Sequence, residues 1–488
     1  MTAEPESPDV SVEQKQDPSI GVDEWVARQT GRREYAPGPR GDIQRRFERV
    51  GWWPKLAVAG AFGAIVPLLL TNDFQVQVGI NALLLALLAL GLNISVGWAG
   101  LLDLGYIAFY GFGAYGFALL SSSQLNPPTG IHFAAYVSLP IIAVAAACLG
   151  LIVGLPSRRL IGDYLAILTL FFGEAFVEFT NNVAPSKLGG PNGITSIDPI
   201  RAFGHQIVTN KGYFYFLLIL LVLSAAALHL LDTSRTGRAW RAVREDPLAA
   251  GMMTIPVNRV KLMAFSFGAV VAALAGTVFA AQQVNVFPTD FDTPYLILIY
   301  AALILGGAGS IGGAILGGLL LSVMLDGFLR SPTEAGYLFY GVILLTLIVK
   351  MRPWRKLVAV LAATAVFGIV VHTIVETISK TAVAGGPQST GWIADALHNW
   401  VVVPSNPTTA GNIGFVVLLC LCIALVQVKG RSRTILLVPT LYLAACVWEG
   451  VLVAQPSITR QILVGAILIV MMNARPQGLL GSRRVEVV

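Results

Sequence analysis

The stretch from Val76 to Gly97, VQVGINALLLALLALGLNISVG, contains no charged side chain. At 1.5 Å of rise per residue, a helix of this length crosses the roughly 30 Å hydrocarbon core of a bilayer, which takes about 20 apolar residues. Comparable apolar runs recur from Leu56 to Val470, which excludes a single membrane anchor. The whole chain fits that pattern: of 488 residues, 55% are hydrophobic and 12% charged. Soluble domains hold roughly 45–50% apolar and 25% charged residues. Backbone groups inside a bilayer must be satisfied within the protein, so segments of this length read as helices. The expected fold class is an all-α integral membrane protein, a polytopic helical bundle with some broken or short helices.

About fourteen membrane segments follow from the hydropathy. They lie near 56–71, 76–97, 105–120, 133–155, 162–180, 212–231, 260–284, 294–308, 310–328, 337–350, 357–377, 411–428, 434–453 and 460–473. Charge supplies an independent check, because cytoplasmic loops carry an excess of Lys and Arg. With a cytoplasmic N-terminus, Arg158 and Arg159, the segment Arg235–Arg259, Lys350–Lys356, Lys429–Arg433 and Arg483 with Arg484 all fall on the cytoplasmic side. The C-terminus then falls there as well. Two long loops, 181–211 and 378–410, rich in Gly, Pro, Asn and Thr, are left outside.

The first 50 or so residues are polar, acidic from Glu4 to Glu24 and basic from Arg32 to Lys55. They read as a disordered cytoplasmic tail whose basic part lies on anionic lipid headgroups, without the pattern of a cleavable leader. The net charge of +6 is accounted for by basic cytoplasmic loops and requires no nucleic acid. The four cysteines, Cys148, Cys420, Cys422 and Cys446, sit in apolar runs, and the five histidines lack ligand spacing, so no metal is assigned.

One stretch breaks the apolar pattern. SRTGRAWRAVREDPLAAGMM (234–253) is charged and helix-forming, interrupted at Pro247. Asp246 before Pro247 fits the cap of a second short helix, since Pro suits the first helical position and Asp accepts from the amides beyond it. Ala249, Ala250 and Gly251 are small enough for another surface to approach. The segment reads either as a solvated positive-inside loop or as an amphipathic element that enters a partner's groove.

This segment resembles the coupling-helix region of the branched-chain amino acid permeases of ABC importers, LivM type. Four further motifs and the tail appear in the family's order: GLNISVGWAGLLDLGYIAFYGFGAY (91–115), GDYLAILTLFFGEAF (162–176), LGGPNGI (188–194), ILGGAGSIGGAILGG (304–318) and RPQGLLG (475–481). The resemblance covers most of 75–350 plus the C-terminal tail. It implies a division into a polar tail (1–55), a permease core (56–350), additional membrane segments with an outer loop (351–459), and a final helix with its tail (460–488). It also implies four partners besides membrane lipid: a sister permease (LivH-like), two ATP-binding subunits (LivG- and LivF-like) and an extracytoplasmic solute-binding protein. ATP would be bound by those subunits and no cofactor by this chain, which has no phosphate-binding loop of the form G-x-x-x-x-G-K-[ST].

On this resemblance the ATPase-coupling residues are Arg241, Arg244, Glu245, Asp246, Pro247, Ala250 and Gly251. Candidates for the translocation path are Gly97, Asp103 and Glu174. Gly97, Gly100 and Gly105 interrupt an apolar stretch around Asp103, which predicts a broken helix. A carboxylate at membrane depth costs about 2.5–3.5 kcal/mol, so Asp103 either faces a cavity or caps the helix that starts near Gly105. Glu174 and Glu178 share one helix face at four-residue spacing. Glu174 matches the family's Gly-Glu pair and either lines the path or ties two helices together. Gly189, Gly190, Pro191 and Asn192 form a turn on the solute-delivery side and are candidates for outer-loop docking. Leu188 stands where the family pattern has Thr. Gly309, Gly313 and Gly317 repeat every fourth residue and predict close helix packing, internally or against a partner permease.

The largest departure from the family lies near the end. GYLFYGVILLTLIVKMRPWRK (336–356) already looks like a family terminus, yet further segments intervene before the tail. A urea or short-chain amide permease shares most of these motifs. From another class, an ion-coupled secondary transporter would use Glu174 and Glu178 as carriers and need no ATPase.

Overall fold

The structure is a computed structural model that describes residues 51–70, 72–122, 133–158, 160, 162–183, 185–202, 205–329, 332–350, 354–379, 397, 400–404, 407–428, 431–452, 459, 462, 465, 468–469 and 477–481. Its contacts divide the chain into Met1–Ala61 and Phe62–Val488. In the first unit the described residues form the start of helix α1 (Trp52–Leu69), where Trp52 and Trp53 meet edge to face at 5.2 Å. Up to residue 50 the expectations for the polar tail fall outside the described residues, and its expected last residues, Trp52–Lys55, already belong to α1.

In the second unit the helices follow the hydropathy. They are α2 (Asp73–Leu92), α3 (Tyr106–Ser121), α4 (Ala135–Gly154), α5 (Asp163–Asn182), α6 (Asn210–Thr233), α7 (Arg235–Glu245), α8 (Pro247–Met252), α9 (Val257–Gln283), α10 (Thr293–Gly306), α11 (Ile311–Ser322), α12 (Pro332–Lys350), α13 (Trp354–Ile378), α14 (Pro407–Gln427) and α15 (Arg431–Val447). Among the described residues, seven helical stretches are long and apolar enough to cross a membrane, and α3 and the α11 stretch are shorter apolar helices. The expected segment at 460–473 lies largely outside the described residues. Among the described residues, strand structure is confined to a two-residue hairpin, β1 (Arg201–Ala202) against β2 (His205–Gln206), and isolated bridges.

The centre of the unit is α9, an alanine- and glycine-rich helix with Ala264, Ala269, Ala272, Ala273, Ala275 and Ala280 buried. Small residues let backbones touch where larger ones would hold them apart. A Cβ on Gly113 of α3 would run into the Ala273 backbone, and one on Gly276 of α9 would sit 2.8 Å from the Ala114 amide. On α2, fourteen residues are buried, and a Cβ on Gly318 of α11 would lie 2.6 Å from the Ala86 amide.

The expected stripe of Gly309, Gly313 and Gly317 is corrected in one member. Gly309 belongs to the turn before α11, at φ 93°, while Gly306, Gly313 and Gly317 make the contact, between α10 and α11 within this chain. Gly307, at φ 111°, leaves the α10 axis, and the Gly313–Gly317 face of α11 folds back against Gly306 at the end of α10.

Two of the basic segments, or residues next to them, touch turns between the helices. The Leu479 and Leu480 amides donate to the Leu305 and Gly306 carbonyls at 3.0 and 2.9 Å, and Gly100 lies under the Arg244 side chain. On the opposite side Ile194 pairs with Val286 and Ser122 with Ile197. The segments after residue 350 join the rest through α12: Phe339 stacks on Trp448 at 4.1 Å, and the Tyr340 hydroxyl donates to Glu449 at 3.0 Å.

Overpacking a backbone contact of this kind costs about 1–3 kcal/mol. Gly276→Val is therefore expected to lower the thermal unfolding midpoint of the detergent-solubilised protein by several degrees. Gly341→Ala, where a Cβ meets nothing within 4 Å, is expected to leave the midpoint unchanged.

Candidate functional site: a capped elbow and the helix break beneath it

The helix α7 starts because Ser234 caps it, its Oγ accepting from the Thr236 and Gly237 amides at 3.1 and 3.4 Å. Its inward face is Gly237, Trp240 and Val243, all buried, while Arg235, Arg238 and Glu245 are exposed. Trp240 fixes the helix to the membrane core. Its indole N–H donates to the Val260 carbonyl at 2.8 Å, and its ring stacks on Trp98 with centroids 5.9 Å apart. Phe267 meets the same ring edge-on at 6.1 Å.

The chain then turns at Asp246, whose Oδ1 accepts from the Leu248 and Ala249 amides at 2.8 and 3.1 Å and so caps α8 behind Pro247. The result is a rigid elbow. Its outer surface is apolar: Leu248 is 79%, Met252 87% and Met253 77% exposed.

The seven residues assigned to coupling from the sequence divide into two sets. Glu245, Asp246, Pro247 and Gly251 are exposed at the elbow. Arg241, Arg244 and Ala250 are turned into the chain. Arg241 bonds the Asp232 carbonyl at 2.7 Å and pairs with its carboxylate at 3.1 Å; Arg244 donates to the Gly97 carbonyl; Ala250 is buried. The two arginines are thus braces of the elbow. Leu248, Met252 and Met253 escaped the sequence reading, although three large apolar side chains in a charged loop were a readable signal. Trp240 was likewise legible as the apolar member of an i, i+3, i+6 inward face.

Beneath the elbow α2 does break, as the glycines predicted. The six residues that follow it, Asn93–Trp98, widen into a π-helical turn, a form that recurs at functional sites. Asn93 Oδ1 accepts from the Gly309 amide at 2.6 Å, and Trp98 Nε1 donates to the Gly309 carbonyl at 3.2 Å. Gly100, at φ 69°, lets the chain reverse under Arg244, where a Cβ would come within 2.7 Å of that side chain.

Of the path candidates, Gly97 is packed between Asn93 and Gly309, and Asp103 is 1% exposed. Asp103 Oδ1 accepts from the Gly105 amide at 3.2 Å, and the Tyr300 hydroxyl bridges its backbone N–H and carbonyl at 3.1 and 2.9 Å. The carboxyl therefore holds the turn ahead of α3, whose cap position is Gly105. Removal from water pushes its pKa up from 3.8 to about 7. Glu174 is exposed and accepts from the Thr293 hydroxyl at the start of α10, a tie between α5 and α10. Glu178, one turn on, accepts from Asn182.

At the opposite end the loop Gly189–Asn192 forms a short turn, with Gly190 buried and Pro191 and Asn192 exposed. Gly193, at φ 65°, presses on the Val286 carbonyl and leaves no room for a Cβ.

A many-helix membrane protein with a stiff, capped elbow projecting from one face has the construction of a permease subunit. The profile described as "Branched-chain amino acid transport system / permease component" matches residues 76–348, and the chain belongs to that family. It is 37% identical over 304 residues to the high-affinity branched-chain amino acid transport system permease protein LivM of Escherichia coli strain K12, covering 57% of this chain and 68% of that one. The Salmonella typhimurium LivM is 36% identical over 305 residues, covering 58% and 68%. The permease protein LivH of the same Escherichia coli strain is 28% identical over 247 residues, covering 49% and 79%. No solved structure matches.

The Asp103 carboxyl has a measurable consequence. Its folded-state pKa lies above the unfolded value, so the stabilisation from the protonated form is full below about pH 4 and is lost as pH rises to about 7. The unfolding midpoint is expected to fall across that window in the wild type, and to fall less in Asp103→Asn, in melts from pH 4 to pH 8.

Proposed function

We propose that the chain is one permease half of an ATP-driven importer of branched-chain amino acids, with about fourteen membrane segments in the cell membrane and both termini in the cytoplasm. The other half is a sister permease of the LivH kind. The observation that carries this reading is the elbow α7–α8: apolar at its tip, capped at both helix starts, and braced to the core by Trp240, Arg241 and Arg244.

Two separate ATP-binding subunits supply the energy, and one of them receives Leu248, Met252 and Met253 in a groove. ATP is bound there; this chain binds no cofactor. A solute-binding protein outside the cell delivers the amino acid at the turn Gly189–Asn192. The mechanism follows from stiffness. Closure of the ATPase pair displaces the elbow, and Trp240 on Trp98 passes that displacement to the π-helical break. The same break is bonded to the turn at Gly309 between α10 and α11, so two broken elements move as one. Glu174, on α5 and bonded to α10, is the candidate to face the solute path.

Replacing the tip with charge tests the assignment. Leu248→Asp combined with Met252→Asp is expected to reduce branched-chain amino acid uptake more than tenfold and to abolish co-purification of the ATPase subunits, with membrane insertion unchanged. Uptake and co-purification equal to wild type would refute the docking role. Uptake that persists without ATP under a proton gradient, and is lost in Glu174→Gln, would instead establish secondary transport.

A further inference from the structure

Between the elbow and the membrane core lies a cleft of about 120 Å³ that this reading leaves unused. Its walls come from the turn after the π-helical break, the start of α5, the α7–α8 elbow and α9. Leu101, Leu165, Val243 and Pro247 make it apolar, Arg244 and Lys261 make it cationic, and among the described residues no carboxylate lines it. Lys261 stands out. It is 6% exposed, and among the described residues it has neither a hydrogen-bond partner nor an ion-pair partner. Its ammonium opens on the cleft among mostly apolar walls, without a counter-charge beside it, and a carboxylate bound there would supply one.

We propose that this cleft binds a small aliphatic monocarboxylate, with the carboxylate on Lys261 and the alkyl tail against Leu101, Leu165 and Val243. The volume decides the size class. A cavity of roughly 150 Å³ holds a benzene molecule, so this cleft takes the short alkyl part of a small carboxylate and no lipid. A phosphate group, doubly charged and in need of several donors, is a poor match for walls that are mostly Leu, Val and Pro. Because Val243 and Pro247 belong to the elbow, an occupant sets the spacing between elbow and α9 and thereby regulates coupling. That consequence rests on the proposed transport reading; the binding itself does not.

The test is isothermal titration of the full chain, purified in detergent, with 3-methylbutanoate. Saturable binding is expected, with 3-methylbutanamide at least tenfold weaker. Lys261→Met is expected to lose binding, Lys261→Arg to retain it, and Leu165→Trp, which fills the cleft, to lose it while the lysine stays. Leucine as competitor separates the sources. Displacement identifies the transported solute's own carboxylate as an occupant, and failure to displace assigns the site to carboxylates lacking the ammonium. The inference is overturned by absent binding, by equal binding of the amide, or by binding unaltered in a folded Lys261→Met or Leu165→Trp. None of these outcomes bears on the uptake test, so the two readings fail separately.

Discussion

The main-chain carbonyl of Gly97 is the point on which this face of the molecule depends. A helix that widens and stops inside a membrane protein leaves carbonyls and amides with no water to take them. Here the Gly97 carbonyl is taken by the Arg244 guanidinium, and the neighbouring Asn93 and Trp98 side chains saturate the amide and carbonyl of Gly309. A break that would cost several kcal/mol per orphaned group thus becomes the joint at which three distant parts of the chain meet. The same bonds tie the elbow to the break and the break to the α10–α11 turn, so none of the three can be displaced alone.

Much of this was legible in the sequence, and for physical reasons. Apolar runs report membrane helices because the bilayer imposes their length, and the expected segments from 56–71 to 434–453 each coincide with a helix. Gly97, Gly100 and Gly105 marked the break, and Asp246–Pro247 marked the cap of α8, because cap and break chemistry is local. What the sequence withheld is direction. Arg241 and Arg244 read as a partner-facing charge stripe, yet each reaches back to a carbonyl, Asp232 in one case and Gly97 in the other. Charge alone does not say whether an arginine looks outward to a partner or inward to an unsatisfied backbone group. Gly309 was misplaced for a similar reason: four-residue spacing presumes one continuous helix, and α11 begins only at Ile311, after Gly309.

The segments after residue 350 depart from the family pattern but are joined through α12 by specific chemistry. The Trp448 ring lies flat on Phe339, and Glu449, fully buried, accepts from the Tyr340 hydroxyl. A carboxylate in such a place is expensive unless bonded. That contact therefore fixes the register of the added helices on the core, where apolar packing alone would let them slide.

The pairing of Leu479 and Leu480 with the carbonyls that end α10 also sets an order of events during synthesis. The turn at Gly307 emerges from the ribosome early, but the segment that closes it, Leu479 and Leu480, arrives only after all the helices beyond residue 350 have been made. Until then the end of α10 is held open, and a chain stalled anywhere in the added helices carries an unfinished core. Completion of the α10 end is thus contingent on synthesis of everything between it and Leu479.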